Sequence, residues 1–477
     1  MSILENKSHW RSLPGEIRLM ILELITRGDP GWGACASICK EWQAVLEKEA
    51  CRRLKLRASC LDDLENMVDP RRALLARHVW LNIELRPYTC RSCWATESYS
   101  WICGNNAVIR KAIAKLFSIL REWPAVEGGD LALELSFQSP SDKEHYFKNL
   151  YFGSQDEGDE LKLRDAGRGL PNGTTSNQYH DPKHSWFDGH QVDPPGELAI
   201  LRLFEPIDIS FKEDLPPVSA VTKFVLRRQC RRQFESRNLI GFDLPPQLKH
   251  ISLFEETNED YIAIVRRSPS LAQATLATVR VASPAVGESL AARSLGLDSL
   301  SATFIVEAKD FFQVCQKDWV WEHMRVLVLS SRILTHTADP TTITRLLRDA
   351  AKAALSMPSL ETTVLWNGAR GEACKFFYRE GSDCTAIGWR GTWDFQLERD
   401  TSHAWNLGLG REMLRAWKKV ADKHTRHDLR IVQDPRIMAS VDSNAHAIEF
   451  LDLPPGVIDQ VSCLQLRRET ASGWRRG

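Results

Sequence analysis

Short apolar runs with the pattern Leu-x-x-Leu-x-Leu, or a close variant, recur along most of this chain and constrain its fold more than any other feature. Clear copies are Leu248–Leu253, Met324–Leu329 and Leu360–Leu365, and looser copies are Val221–Leu226, Leu300–Ile305, Val79–Leu81 and Leu133–Leu135. From Val221 to Leu360, most starts are separated by one or two lengths of a leucine-rich repeat, which takes about 20–29 residues. Such runs are typical of buried strands. The recurrence therefore predicts a series of similar strands.

Helical patterns separate some of these runs. Apolar residues fall on one side of a predicted helix over Asn105–Trp123 and of another over Thr341–Leu355. Because strands that alternate with helices favour a parallel sheet, we predict an α/β fold that forms an irregular solenoid resembling leucine-rich repeats. The Asn or Cys that usually follows the repeat core is mostly missing. A non-repetitive α/β fold is therefore the alternative.

The first fifty residues follow a helical period instead. Ser12 is suited to cap a helix, and Pro14 is tolerated in its first turn. The next apolar residues share one helical face, namely Ile17, Met20, Ile21, Leu24 and Ile25. A second helical pattern runs from Ile38 to Glu49. Taken alone, these patterns predict a small helical hairpin that caps a larger fold.

The segments LPGEIRLMILELI and SICKEWQAVLEKE resemble the F-box. That family has Leu-Pro, an acidic and an aliphatic residue, an Ile-Leu pair one turn later, and a short second motif with Cys, a basic residue and Trp. The matching positions are Leu13, Pro14, Glu16, Ile17, Ile21, Leu22, Ile38, Cys39, Lys40 and Trp42. Residues 32–35 are WGAC, where the family often has two spaced leucines. Much of the remaining chain is similar to filamentous-fungal F-box-like proteins, whose C-terminal region has no assigned function.

The resemblance implies a substrate receptor of a cullin–RING (SCF-type) ubiquitin ligase. Such a receptor docks on the small adaptor subunit and through it on a cullin, while its C-terminal domain holds a protein substrate. The adaptor-binding residues implied by the motif are Leu13, Pro14, Ile17, Ile21, Leu22, Ile38 and Trp42. The receptor is not an enzyme, takes no cofactor, and acts in the cytoplasm or nucleus. The alternatives are an F-box-bearing scaffold outside the ligase and an unrecognised enzyme.

Domain boundaries follow from these patterns. We predict a helical F-box-like domain over residues 8–55 and a repeat-like α/β domain over residues 56–152 and 198–477. Residues 153–197 are rich in Gly, Pro and polar residues with few aliphatic ones. Such a stretch buries too little apolar surface to fold alone, so it is predicted to be a loop insertion, at least partly disordered. Within it, the stretch from His180 to Trp186 is a candidate for docking on the core.

The charge balance and hydropathy exclude some partner classes. Lys and Arg together number 62, and so do Asp and Glu, which makes the formal net charge +0. Nucleic-acid-binding proteins usually carry an excess of positive charge, so we expect no nucleic acid. No run approaches the roughly 18 apolar residues of a membrane helix, and the N-terminus lacks a signal-peptide pattern. We therefore expect no membrane partner, and reduced cysteines.

The best metal-ligand candidates are Cys90 and Cys93, in a Cys-x-x-Cys motif, followed by Cys103. A tetrahedral zinc site needs four ligands, and no fourth residue, such as His78 or Cys60, lies at a diagnostic spacing. Partly buried thiols without a metal are therefore the main prediction, with zinc as the alternative. Phosphate-binding loops, the zinc-protease motif and the serine-hydrolase elbow are not found in the sequence.

Two further groups allow two interpretations each. The arginines around Cys230, within Arg227–Arg232, predict an ordinary charged surface or a patch for an anionic partner. The aromatic residues Trp389, Trp393, Trp405 and Phe395 predict core packing or an aromatic pocket. Neither group identifies a substrate.

Overall fold

The structure is a computed structural model of the 477-residue chain. It describes residues 9–28, 32–126, 128–150, 180–207, 210–211, 214–227, 232, 245, 247–255, 258–268, 282–395, 407–454, 456–458, 462 and 466. All structural statements below concern these residues.

Two α-helices open the described chain. They are α1 (Gly15–Gly28) and α2 (Lys40–Arg52), and short 3-10 helices at His9–Ser12 and Trp32–Ser37 precede them. Glu16 lies in the first turn of α1, where the helix dipole favours an anion. The helices contact each other, and Leu22 of α1 and Leu46 of α2 are buried. The predicted pair of N-terminal helices is therefore present.

An 11-stranded sheet forms the body of the molecule. Its strands lie side by side in chain order: β1 (Arg53–Arg57), β2 (His78–Glu84), β3 (Leu131–Gln138), β6 (Val221–Leu226), β7 (His250–Phe254), β8 (Ser299–Thr303), β9 (Val326–Ser330), β10 (Thr362–Ala369), β11 (Glu372–Glu380), β12 (Thr385–Gly391) and β13 (Leu429–Gln433). A separate two-stranded ladder consists of β4 (Trp186–Phe187) and β5 (His190–Gln191). Because α2 ends at Arg52 and β1 begins at Arg53, the helical pair joins the sheet without a linker.

Helices fill most of the described connections between strands. They are α3 (Leu61–Met67), α4 (Pro70–Ala73), α5 (Tyr99–Arg121), α6 (Glu197–Leu203), α7 (Glu259–Arg267), α8 (Pro284–Arg293), α9 (Ala308–Gln313), α10 (Pro340–Ala354), α11 (Leu407–His424) and, after the last strand, α12 (Asn444–Leu451). None of the described helices is both long and apolar enough to cross a membrane.

One face of the sheet packs against these connecting helices. Leu81 of β2, Leu133 of β3 and Leu327 of β9 lie in one apolar core with Ile113 of α5 and Leu347 of α10. All five side chains are almost fully buried, and burial of one such side chain contributes roughly 1.5–3 kcal/mol. The core therefore runs along the sheet from its N-terminal to its C-terminal half.

The opposite face is covered by α12 in the C-terminal half of the sheet. Val328 of β9, Trp366 of β10 and Phe377 of β11 pack with Ala447 and Leu451 of α12. The central strands are thus buried on both faces. Strands in such a position consist of nearly continuous apolar residues, which is how the repeating runs appear in the sequence.

The mixed α/β class predicted from the sequence is confirmed. All seven predicted runs contribute to strands, namely β2, β3 and β6–β10, and these seven strands pair in parallel with one another in chain order. The helices predicted over residues 105–123 and 341–355 correspond to α5 and α10.

The expectation of parallel strands with intervening helices is wrong for β10, β11 and β12, which pair antiparallel. Ala369 and Glu372 face each other across a two-residue turn. Gly371 in this turn has φ +85, a backbone conformation that glycine adopts without steric cost. The turn reverses the chain at once, so no crossover helix is needed.

The predicted loop insertion is partly folded. Residues 151–179 lie outside the described residues. Residues 180–197 contain a 3-10 helix (Pro182–His184) and the β4–β5 ladder. Since His184 and Trp186 are buried, the candidate stretch from His180 to Trp186 docks on the core.

Candidate functional site

The N-terminal helices expose several large apolar side chains. Ile17, Met20 and Leu24 of α1 are 41%, 56% and 63% exposed, and Ile38, just before α2, is 61% exposed. Positions 17, 20 and 24 follow the i, i+3, i+7 spacing of one helical face. We call these four residues the exposed apolar set. Grouped exposed apolar side chains of this size are a mark of surfaces that bind other molecules.

The predicted adaptor-binding residues differ in burial. Pro14, Ile17 and Ile38 are exposed, Leu13, Ile21 and Trp42 are half-buried, and Leu22 is 1% exposed. Leu22 therefore belongs to the core of the helical pair and offers no contact surface. Met20 and Leu24, which lie outside the motif match, are exposed instead. Their helical spacing relative to Ile17 is the sequence signal for this face.

Polar and aromatic contacts hold the start of α2 against the segment that leads into α1. The rings of Trp10 and Trp42 have centroids 5.2 Å apart. Glu41 accepts a hydrogen bond from Nε1 of Trp10 at 3.2 Å and pairs with Nε of Arg18 at 3.2 Å. These contacts fix the position of Trp42 beside α1.

A second group of side chains meets beyond the carboxyl ends of β2 and β3. These strands are parallel neighbours, so the loops that follow them leave the sheet at the same edge. Cys90 and Cys93 lie in the loop after β2, and His145 lies after β3. His184, from the docked stretch, reaches the same place. We call these four residues the Cys/His cluster.

Sulfur and imidazole nitrogen atoms face each other in the Cys/His cluster. Sγ of Cys90 lies 3.5 Å from Nδ1 of His145 and 3.7 Å from Nε2 of His184, and Sγ of Cys93 lies 3.5 Å from the same Nε2. Cys93 and both histidines are buried, and Cys90 is half-buried. Burial raises the pKa of the Cys93 thiol and lowers the pKa of His145.

Asp181 orients the imidazole of His184. Its Oδ2 lies 2.6 Å from Nδ1 of His184 and 2.8 Å from Nζ of Lys148. Burial alone would raise the pKa of Asp181, but hydrogen bonds from Lys148 and His184 lower it. The carboxylate of Asp181 thus faces Nδ1 of His184, while Nε2 of the same ring faces the two sulfur atoms.

Cys103, the third ligand candidate from the sequence, is not a member of the cluster. The potential metal ligands that lie within 4.8 Å of one another are Cys90, His145 and His184. Cys103 is exposed on α5, and a hydrogen bond with Cys103 raises the pKa of Tyr99. The two histidines lie 55 and 94 residues from Cys90. No short motif could have identified them.

The two described arginines of the predicted basic group, Arg227 and Arg232, do not form a surface patch. Nε of Arg227 lies 2.5 Å from Oε1 of Glu134, and Arg232 donates to Oε1 of Glu97 at 2.7 Å. All four side chains are buried. The interpretation of Arg227 and Arg232 as contacts to an anionic partner is therefore wrong. The other two arginines of the group lie outside the described residues.

Glu97 is part of a buried polar network. Besides the contact with Arg232, its Oε2 accepts a hydrogen bond from Nδ2 of Asn105 at 3.0 Å. Burial, followed by the charge of Glu97, raises the pKa of Glu205 to about 7. Burial also raises the pKa of Asp142, which accepts a hydrogen bond from the hydroxyl of Tyr88 at 3.1 Å. The loops beyond β2 and β3 thus bury several charged groups together.

A surface cleft of about 530 Å³ lies near the carboxyl ends of β8, β9 and β10. Its lining includes Arg266, Arg332, Asn367, Glu259 and Glu372, so both signs of charge line it. Burial raises the pKa of Glu259. The lining also includes the apolar side chains of Ile262 and Phe304.

The described residues of the C-terminal aromatic group pack in the core, which is one of the two predicted interpretations. The ring of Trp389 lies 4.8 Å from that of Trp393 and 4.9 Å from that of Phe395, centroid to centroid. Trp389 is part of the main apolar core, and the other two pack against it. Trp405 lies outside the described residues.

Comparison with known proteins covers the C-terminal half only. Residues 243–459 match a protein-family model described as a family of unknown function (DUF6546). The matched segment contains β7–β13 and the cleft, and it excludes the N-terminal helices and the Cys/His cluster. No curated protein and no solved structure matches the chain significantly.

Proposed function

We propose that this chain is an F-box substrate receptor of an SCF-type cullin–RING ubiquitin ligase. The observation that carries the proposal is the exposed apolar set on a helical pair whose sequence resembles the F-box. Ile17, Met20, Leu24 and Ile38 remain in contact with water, although Leu22 and Leu46 of the same helices are buried. Binding of the small adaptor subunit would remove this apolar area from water, at roughly 25 cal/mol per Å².

Amphipathic helices commonly bind partner grooves through residues at i, i+3 and i+7. Ile17, Met20 and Leu24 have this spacing on α1. Leu13 and Trp42 are half-buried at the start of the two helices, so part of each side chain remains available to the adaptor. The adaptor in turn recruits a cullin, in the cytoplasm or nucleus.

The sheet provides the part of the receptor that holds a protein substrate. We interpret its parallel strands and connecting helices as an irregular solenoid resembling leucine-rich repeats, interrupted by the β10–β12 meander. Solenoids offer extended, rigid binding surfaces. The receptor contributes no chemistry of its own. It raises the effective concentration of the substrate near the ubiquitin-charged enzyme and orients it.

The decisive experiment measures binding of the full-length chain to the purified adaptor by calorimetry. The variant I17D/I38D places two carboxylates in the exposed apolar set, so we expect the dissociation constant to rise at least about 100-fold, in the range of interface hot spots. Met438→Asp is a matched control, because Met438 is 85% exposed at the far end of the chain. It should bind the adaptor normally.

Pull-down of a cullin completes the test. The proposal expects the cullin to be recovered with the wild-type chain and adaptor, and lost with I17D/I38D or with L13A/P14A. A wild-type chain that does not bind the adaptor would refute the proposal. Adaptor binding without cullin recruitment would instead indicate a scaffold that acts outside the ligase.

A further inference from the structure

We propose that Cys90, Cys93, His145 and His184 bind one zinc ion, and that this ion pins the docked stretch around His184 to the loops beyond β2 and β3. The proposal stands independently of the F-box, because the Cys/His cluster lies outside the N-terminal helices.

The interatomic distances fit a tetrahedral Cys₂His₂ site. With Zn–S bonds of about 2.3 Å and Zn–N bonds of about 2.0–2.1 Å, tetrahedral angles place sulfur and nitrogen about 3.6 Å apart. Three sulfur–nitrogen distances in the cluster are 3.5, 3.7 and 3.5 Å. They join both sulfur atoms and both imidazoles. The donor atoms of Cys90, His145 and His184 lie within 4.8 Å of one another, and Cys93 joins them through its 3.5 Å approach to His184.

The imidazole of His184 connects the two cysteines. Its Nε2 lies 3.7 Å from Sγ of Cys90 and 3.5 Å from Sγ of Cys93. Sγ of Cys90 also lies 3.5 Å from Nδ1 of His145. Three short sulfur–nitrogen approaches therefore converge on one place, where a cation would contact donors from the loop after β2, the loop after β3 and the docked stretch.

The surroundings of the cluster resemble those of protein metal sites. Metal-bound histidines usually donate their other ring N–H to a carboxylate or carbonyl, which fixes the tautomer and the ring plane. Asp181 makes this contact to His184 at 2.6 Å, and Lys148 balances its charge at 2.8 Å. The loop of Cys90 and Cys93 is closed by a hydrogen bond from the backbone N–H of Cys93 to the carbonyl of Thr89 at 3.1 Å.

The donor set selects zinc and a structural role. Two thiolates and two imidazoles suit zinc, whereas magnesium and calcium prefer oxygen ligands. Four protein ligands close the coordination sphere, and catalytic zinc sites keep one position open. Binding deprotonates the two thiols, so up to two protons leave for each zinc ion bound.

The ion explains how a short stretch stays docked. The β4–β5 ladder has only two residues in each strand, and two-stranded ladders of this size are marginal in water. The contact between Cys90 and His184 joins positions 94 residues apart. Zinc would thus hold the ladder on the core from a distant part of the chain.

The first test is the zinc content of the purified, reduced full-length chain after dialysis against a competing chelator of moderate affinity. Wild type should retain about one zinc per chain, and the variants Cys90→Ser and His184→Gln should lose most of it. Cys103→Ser is the matched control, since Cys103 is an exposed cysteine outside the cluster. It should retain zinc like wild type. A wild-type chain without zinc, or unchanged retention in His184→Gln, overturns the proposal.

The second test needs no variant and therefore no assumption about folding of the variants. X-ray absorption at the zinc edge of the wild-type chain should show two sulfur ligands at about 2.3 Å and two nitrogen ligands at about 2.0–2.1 Å. Cobalt substitution should show thiolate-to-metal charge transfer and tetrahedral ligand-field bands. A sphere with three sulfur ligands, or one of six oxygen and nitrogen ligands, contradicts the assignment.

Discussion

The N-terminal helical pair and the loops beyond β2 and β3 differ from the usual pattern of apolar residues inside and polar residues outside, each in the opposite way. The helices expose apolar side chains such as Met20 and Leu24, whereas the loops bury polar ones such as His184, Glu97 and Arg232. Exposed apolar groups and buried polar groups are the two informative departures from the usual pattern. An exposed apolar surface is stabilised by a second molecule. A buried polar group needs its partner inside the fold.

This difference separates two kinds of function. Substitutions in the exposed apolar set should change binding and leave the fold intact. Substitutions among the buried polar groups should change stability first, because each lost partner leaves a desolvated group behind. Paired substitutions of buried and exposed residues test this separation.

The largest effect should come from Glu97→Ala. The change removes the carboxylate that accepts hydrogen bonds from buried Arg232 and from Asn105. Breaking a buried ion pair by removing one partner costs about 3–5 kcal/mol. Urea unfolding followed by tryptophan fluorescence should show this loss in the free energy of unfolding.

The control is Glu361→Ala, which removes the partner of Arg325 in an exposed ion pair. Exposed pairs contribute about 0–1 kcal/mol, so this variant should unfold almost like wild type. Equal losses in the two variants would mean that burial does not determine the effect, and the comparison would fail.

The next largest effect is a difference in stability between alanine variants of two leucines in the helical pair. Leu46→Ala empties a fully buried position and should cost about 2–5 kcal/mol. Leu24→Ala, at a position that is 63% exposed, should change stability by about 0.5 kcal/mol or less. Thermal unfolding of both variants checks the contrast. A destabilised Leu24→Ala would show that this leucine packs within the chain and is not free to bind the adaptor.

The smallest effect is a pH-dependent change in the free energy of unfolding that is caused by Glu205. Because burial raises the pKa of Glu205 from 4.5 to about 7, the folded state keeps this proton after the unfolded state has released it. The stabilisation is present below the unfolded pKa and is lost as the pH rises toward 7. Glu205→Gln imitates the protonated form, so it should be more stable than wild type at about pH 8. The rise of the pKa corresponds to about 3.4 kcal/mol, and screening by solvent at the partly exposed Glu205 should reduce the difference to about 2 kcal/mol.

Below the ordinary pKa of the carboxyl group, Glu205→Gln and wild type should have nearly equal free energies of unfolding, since Glu205 is then protonated in both the folded and the unfolded state. Urea titrations across the pH range from about 3.5 to about 8 would show whether the difference grows with pH. A constant difference would exclude the protonation of Glu205 as its cause.

The sequence predicts elements well where the signal is local. The runs ending at Leu253, Leu329 and Leu365 all form strands, and α5 and α10 follow their apolar periodicity. The antiparallel meander was missed, because a strand's apolar pattern does not state the direction of its neighbour. Gly371 was the available turn signal, in a two-residue connection too short for a helix.

The sites show the same division. Helical spacing in the sequence identifies Ile17 and Leu24 as one face, but only the packing of α1 on α2 shows that Leu22 is inside and Leu24 outside. The pair of Cys90 and Cys93 is visible as a motif. Its partners are not, since the choice between Cys103 and the two histidines depends on which loops leave the sheet at the same edge.

Patterns within a few positions of one another were enough to predict seven strands of the sheet, the helices α1, α2, α5 and α10, and the Cys-x-x-Cys pair. Only the folded structure shows that His145 and His184 lie beside Cys90, that Arg227 and Arg232 are buried in ion pairs, and that Trp186 docks on the core. These depend on contacts between residues far apart in the chain. Such contacts form only when parallel strands bring distant loops to one edge of a sheet, and no spacing in the sequence records them.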